Sequence, residues 1–154
     1  MSLFVGIDPG KKGALAWIHV FDNPNIPDSF GFVPFDTKEY INTLMELGPS
    51  YDIKCCVEQV HSLPREGVRS VFSFGQNYGW IMGMLEALEI PYQTVPPNKW
   101  KNEFGLLRAD KAQSVEVCKR LFPTAILKRT ERCKKDDDGL AESLLLAEYA
   151  RRHM

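Results

Sequence analysis

The sequence predicts an α/β fold, a mixed five-stranded sheet flanked by helices, and two observations predict it. Five short runs have strand-like composition, at 3–9, 13–19, 30–35, 53–58 and 91–95, and helical patterns fill the stretches around the last three. The resulting order, β-β-β-α-β-α-β-α-α-α, implies a sheet with both antiparallel and parallel neighbours and helices packed on its faces.

Phe4-Val5-Gly6-Ile7-Asp8 is an apolar run closed by an acid, followed by Pro9-Gly10 and then Gly13-Ala14-Leu15-Ala16. This reads as a buried strand, a turn at Pro9-Gly10-Lys11-Lys12 and a second strand of a hairpin. Residues 21–29, rich in Asn, Asp and Pro, form a loop before the third strand. Asp36 and Glu39 have capping-box spacing ahead of a helix over 37–47, which Gly48-Pro49 ends. After the strand at 53–58 comes a loop over 60–69, holding Pro64, Gly67 and two arginines.

A long helix is expected over 70–89 with Ser70 as N-cap. Gly75, Gly79 and Gly83 share one of its faces. Each costs roughly 1 kcal/mol relative to alanine, so close backbone approach is expected there, to the sheet or to a second subunit. The strand at 91–95 stops at Pro96-Pro97, and short helices follow over 97–104 and 109–121, the second with Asp110 near its start. The last helix is expected over 136–151.

At 154 residues, one domain spanning 1–154 is the expectation. The 44% apolar and 25% charged content fits a soluble globular chain, and no apolar stretch reaches the roughly 20 residues a membrane span needs. A strand beginning near residue 3 leaves no room for a signal peptide. Cys55, Cys56, Cys118 and Cys133 lack zinc-like spacing and are expected to be buried free thiols in a cytoplasmic protein. Adjacent Cys55 and Cys56 should point to opposite faces of their strand.

Net charge is −1, yet its distribution is uneven. Residues 99–135 hold 11 Lys/Arg against 4 Asp/Glu, a local +7, leaving −8 on the remainder. A basic segment beside acidic positions suits a metal enzyme acting on a polyanion, or simply a solvated helical face.

The acids that stand out are Asp8, Glu58 at the end of Cys55-Cys56-Val57-Glu58, and Asp136-Asp137-Asp138 with Glu142. Asp138 and Glu142 lie one helical turn apart on one face of a helix that Leu140, Leu144, Leu145 and Leu146 make apolar nearly all round. Asp136 and Asp137 point elsewhere and most simply cap that helix. Buried carboxylates need a cation or a raised pKa. Phosphodiester hydrolysis needs an activated water and a stabilised leaving oxyanion, which two Mg²⁺ ions roughly 4 Å apart provide, and Mg²⁺ prefers carboxylate oxygen to His or Cys.

In the order strand-Asp, strand-Glu, helix-Asp, these acids resemble the ribonuclease H-like superfamily. Within it the chain looks like a RuvC-type Holliday junction resolvase, particularly the short phage-type members. The resemblance rests on Gly6-Ile7-Asp8-Pro9-Gly10 with Gly13-Ala14-Leu15-Ala16, on Val57-Glu58-Gln59-Val60-His61, and on Asp137-Asp138-Gly139-Leu140-Ala141-Glu142. Pro97-Asn98-Lys99-Trp100-Lys101 also matches the family's segment after the last core strand, so nearly the whole chain is covered. The resemblance implies a homodimer, paired through helix 70–89, that cuts four-way DNA junctions symmetrically with two Mg²⁺ ions per active site, Mn²⁺ substituting. It assigns metal binding and catalysis to Asp8, Glu58, Asp138 and Glu142, and suggests a phage or other mobile-element source acting in a host cytoplasm. Two departures matter. Lys135 stands three residues before Asp138, where bacterial members usually carry an aspartate, leaving the fourth ligand between Glu142 and Asp137. His61 occupies the place of an aromatic thought to meet bases; it could stack, shuttle a proton or be an ordinary loop histidine.

Candidate DNA contacts are Lys11 and Lys12 in the turn beside Asp8, Arg65 and Arg69 after Glu58, and Lys99, Lys101, Lys111 and the run from Lys128-Arg129 to Lys135 along duplex arms. Each has a plain alternative as a solvated cation. Phe72 is either a wedge between bases or a core or dimer-interface residue, and Trp80 and Trp100 are expected to pack. Competing functions are a flap or fork nuclease of the same fold, and a non-catalytic junction-binding module. A sugar-kinase-like phosphate loop at Asp8-Pro9-Gly10 would need a second domain that 154 residues do not provide.

Overall fold

Side chains along the first strand, β1 (Ser2–Ile7), alternate between two helical layers. The computed structural model describes residues 1–48, 52–60 and 67–154. Leu3, Val5 and Ile7 are fully buried against α1 (Thr37–Leu47) and α2 (Val68–Ala87), while Phe4 joins the opposite cluster under α5 (Asp138–His153). The remaining elements are β2 (Ala14–Val20), β3 (Ser29–Pro34), β4 (Asp52–Glu58), β5 (Tyr92–Val95), α3 (Pro97–Glu103) and α4 (Lys111–Leu121). The five strands form one sheet in the order β3-β2-β1-β4-β5. β1 pairs antiparallel with β2 and parallel with β4; β2–β3 is antiparallel and β4–β5 parallel, so the sheet is mixed as expected.

Cys55 and Cys56 fall into opposite clusters, as strand alternation requires. All four cysteines are free, but Cys133 is only partly buried, in the loop before α5, rather than in the core. Trp100 is fully buried and Trp80 packs partly buried beside α1, consistent with packing roles. Among the described residues no helix is long and apolar enough to cross a membrane.

Helix starts follow capping chemistry. Asp36 accepts from the amides of Lys38 and Glu39 at 2.9 and 3.0 Å. Asp110 and Gln113 form a complete capping box, which starts α4 at Lys111 rather than 109. The long helix begins two residues before the expected 70, because Gly67 takes the N-cap position in extended conformation and Ser70 lies inside the helix. α5 begins at Asp138 rather than 136: Asp137 is its N-cap, accepting from Leu140 N at 3.0 Å, whereas Asp136 pairs with Lys119 and caps nothing. Gly75, Gly79 and Gly83 are exposed, and among the described residues a Cβ on any of them would meet nothing within 4 Å. They make no close approach to the chain's own sheet, so that explanation falls. Phe72 is 66% exposed and takes no core role.

Candidate active site

Asp8 follows the last residue of β1 in a turn held by three backbone-level bonds. Gly10 N donates to Asp8 Oδ1 at 3.0 Å, Gly13 N to Gly10 O at 2.8 Å, and Asp8 N to Ala14 O at 3.1 Å. Position 13 admits only glycine, since a Cβ there would sit 2.0 Å from the Asp8 carbonyl oxygen. The parallel register Ile7↔Val57 places Asp8 and Glu58 side by side at the C-terminal edge of the sheet. α5 crosses this edge closely because β1 carries Gly6, where a Cβ would lie 2.2 Å from Ala147 N. The crossing brings Asp138 and Glu142 to the acids of the strands.

Charge in the resulting cup is concentrated. Asp8 has a raised pKa, chiefly from burial and further from the negative charges of Glu142 and Asp138, against one opposing bond from the Gly10 amide. Glu58 is pushed up to about 7, by burial first and then by Asp8. Behind them, burial raises the pKa of Tyr40, with the Asp8 charge as a further cause, and among the described residues its hydroxyl has no hydrogen-bond partner. The indole N–H of Trp100 is turned to Glu58 and favours its ionised form, without reaching full hydrogen-bond geometry.

Two lysines expected along DNA arms sit in this cup. Lys111 Nζ is 2.7 Å from Asp138 Oδ2, and Lys101 Nζ is 3.5 Å from Glu142 Oε1 and 5.2 Å from the Trp100 ring centroid. Ser114, buried on α4, donates to Glu142 Oε1 at 3.0 Å. Sequence reasoning missed Ser114, and no local pattern marks it. Asp137, the alternative fourth ligand, is engaged by Arg129, whose hydrogen bonds outweigh burial and hold its carboxyl below the usual range. That arginine, expected along DNA, is committed to the protein interior.

The donor set suits a hard divalent cation: all four groups are carboxylates, partly buried, and Asp8 and Glu58 are destabilised as anions by burial and by neighbouring carboxylates. The charges of Asp8 and Glu142 act on Glu58, and those of Glu142 and Asp138 act on Asp8. Among the described residues, however, no three acidic, His or Cys side chains are gathered tightly enough to grip one ion. The ammonium groups of Lys101 and Lys111 pair with Glu142 and Asp138.

Lys11, Lys12 and Lys99 are exposed. Lys11 and Arg69 converge on a groove of about 480 Å³ between the Asp8 turn and the start of α2, also bordered by Gly10, Ser70, Ser73, Phe74 and Asn77. His61 and Arg65 lie outside the described residues.

The site acids thus lie just beyond β1, at the end of β4 and on the last helix. No protein-family model matches the chain, and no curated protein sequence does. Solved structures do match it. Thermus thermophilus RuvC aligns over 97% of this chain and 96% of its own at 19% identity, with a TM-score of 0.60. The Fowlpox virus resolvase, solved with substrate Holliday junction DNA, aligns over 96% and 98% at 18% identity, TM-score 0.54. The yeast mitochondrial Holliday junction resolvase aligns over 96% of this chain and 77% of its own at 16% identity, TM-score 0.51. The chain therefore has the fold of RuvC-type resolvases.

Proposed function

We propose that this chain is a metal-dependent, structure-selective endodeoxyribonuclease that resolves four-way DNA junctions by phosphodiester hydrolysis. The observation that carries this reading is the convergence of Asp8, Glu58, Asp138 and Glu142 at one sheet edge of a RuvC-like fold, with strand carboxyls whose pKa values are raised by burial and mutual repulsion. Two bound Mg²⁺ ions would supply an activated water and a stabilised leaving oxyanion. Asp8, Glu58, Asp138 and Glu142 would hold them. Lys101 and Lys111 would exchange their carboxylate partners for backbone phosphate when DNA and metal enter together. Lys11 and Arg69 would hold a neighbouring phosphate in the adjoining groove.

Symmetric cleavage of a junction needs two active sites, and the open glycine face of α2 supports pairing of two copies there. With nothing within 4 Å of an added Cβ, a second helix could approach at backbone distance.

A substrate panel tests the reading. With Mg²⁺, a synthetic four-way junction is cut at symmetric positions, and Asp8→Asn binds it without cutting. Equal cutting of linear duplex, flaps and junctions would indicate a general branched-DNA nuclease. Binding without cleavage in either Mg²⁺ or Mn²⁺ would indicate a binding module.

A further inference from the structure

Arg129 lies between α4 and α5, in a run of cations expected along DNA or simply solvated. Its side chain turns inward and is 24% exposed. Nε donates to Asp137 Oδ2 at 2.5 Å and Nη2 to Asp137 Oδ1 at 2.9 Å, a two-pronged pairing that fixes the plane of both groups. Nη2 also donates to the carbonyl oxygen of Lys12, and Nη1 and Nη2 approach that of Gly13 at 3.5 and 3.4 Å. One side chain thus joins the N-cap of α5, immediately before Asp138, to the turn that begins at Asp8.

The glycine at position 139 shows independently that these segments are in backbone contact. A Cβ there would lie 1.9 Å from Lys12 O and 2.9 Å from Arg129 Nη2. Turn and helix terminus meet where a methyl group does not fit, and Arg129 supplies the donors for the turn carbonyls. Lysine could pair with Asp137 or with a carbonyl, but it lacks the planar fork that reaches both.

We propose that Arg129 is a positioning residue, a latch that holds the Asp8 turn against the start of α5 and so sets the spacing between Asp8 and Asp138 for metal binding. This rests on the metal-nuclease reading above. Removing the latch leaves all four carboxylates in place but loosens one pair relative to the other, so metal affinity and catalysis should suffer while DNA affinity does not.

The test uses full-length protein with Arg129→Lys, Arg129→Gln and Arg129→Ala. Mn²⁺ affinity is measured by calorimetry without DNA, junction affinity in Ca²⁺, cleavage in Mg²⁺ under single-turnover conditions, and amide exchange at Gly10 and Gly13 in metal-free protein. The latch predicts Mn²⁺ binding weakened by about 10- to 100-fold in both Lys and Gln variants, slower cleavage, faster exchange at the two glycines and unchanged junction affinity. Added guanidinium should partly restore Mn²⁺ binding to Arg129→Ala. A folded Arg129→Lys protein with unchanged Mn²⁺ affinity and glycine exchange would overturn the proposal. So would weakened junction binding with unchanged Mn²⁺ affinity, which would make Arg129 a DNA contact. If the Gln variant fails to fold, the Lys variant and guanidinium rescue decide. If the wild type neither binds Mn²⁺ nor cleaves, the nuclease reading fails, while glycine exchange still reports whether the latch holds the turn.

Discussion

At the N-terminal end of α5, Asp138 and Glu142 face Asp8 and Glu58; at its C-terminal end, Glu148 is 2% exposed between two arginines. Arg151 Nε donates to Glu148 Oε2 at 2.7 Å, and Arg152 Nε to Oε1 at 2.8 Å. Arg152 continues to Glu103 at 3.1 Å, and Arg151 reaches Asp28 at 3.5 Å. Burial alone would raise the Glu148 carboxyl, but the arginine bonds outweigh it and leave the pKa lowered. Glu103 is lowered too, first by its bond from Arg152. At the other end the same burial prevails, and Asp8 and Glu58 are raised. A buried acid is therefore no marker of chemistry. What sets the cup apart is that, among the described residues, no arginine pairs with its acids, and the cations that meet its helix acids are lysines, compact single charges.

The largest way to break this contrast is Asp8→Asn. Loss of this ligand should slow Mg²⁺-dependent junction cleavage by roughly a thousandfold, about 4 kcal/mol of barrier, with junction binding retained in a gel-shift assay. Removing one of several repelling acids should leave the metal-free melting temperature unchanged or higher, and a clear drop would show that Asp8 is structural. Gly6→Ala attacks what both ends share, the seat of α5 on the sheet. Its methyl would lie 2.2 Å from Ala147 N and 2.3 Å from Ser143 O, so about 3 kcal/mol of stability should be lost in denaturant unfolding. Glu148→Gln removes the anion from the arginine-paired end and should cost roughly 2 kcal/mol while sparing cleavage. Loss of cleavage at intact stability would erase the distinction between the two ends.

The two ends should also titrate in opposite senses. Glu58, pushed up to about 7 from 4.5, holds its proton more tightly folded than unfolded. In metal-free protein its contribution is fullest below about pH 4.5 and is lost as pH rises through about 7, a change on the order of 3 kcal/mol. Glu148, lowered, contributes stability that is present above about pH 4.5 and lost as pH falls through its folded pKa. Melting curves across pH should show Glu58→Gln flattening the neutral side and Glu148→Gln the acidic side. A Glu58→Gln profile that still falls toward neutral pH as steeply as wild type would refute the assignment. The smallest expected effect on a single chain is that of Gly79→Leu, whose side chain enters open space on α2. It should leave monomer stability nearly unchanged yet abolish dimers in sedimentation; a persisting dimer would remove α2 as the pairing face.

Much of this architecture could be read from the residues. The Phe4–Asp8 run, Pro9-Gly10 and Gly13 specify a strand ending at an acid in a tight turn, and the structure builds that turn from those glycines. Glu58 at the end of a strand, and Asp138 and Glu142 on one helical face, follow from periodicities of two and 3.6. Local pattern misled at Ser70, a good capping residue beside Gly67, whose extended backbone took the cap without a side chain. Partners distant in sequence left no trace. Ser114 reaches Glu142 across 28 residues, and Arg129 reaches Lys12 across 117. Lys101 and Lys111 read as surface cations, because nothing along the chain says that α3 and α4 aim them into the cup. Glu148 with Arg151 and Arg152 was legible from spacings of three and four, but the pattern reads only as a helix pair until burial is known.

The most direct measurement is a calorimetric Mn²⁺ titration of metal-free wild type, Asp8→Asn and Glu148→Gln. The account predicts two ions per chain in wild type and in Glu148→Gln, and loss of that binding in Asp8→Asn. Mn²⁺ uptake indifferent to Asp8, or no uptake by wild type, would contradict it.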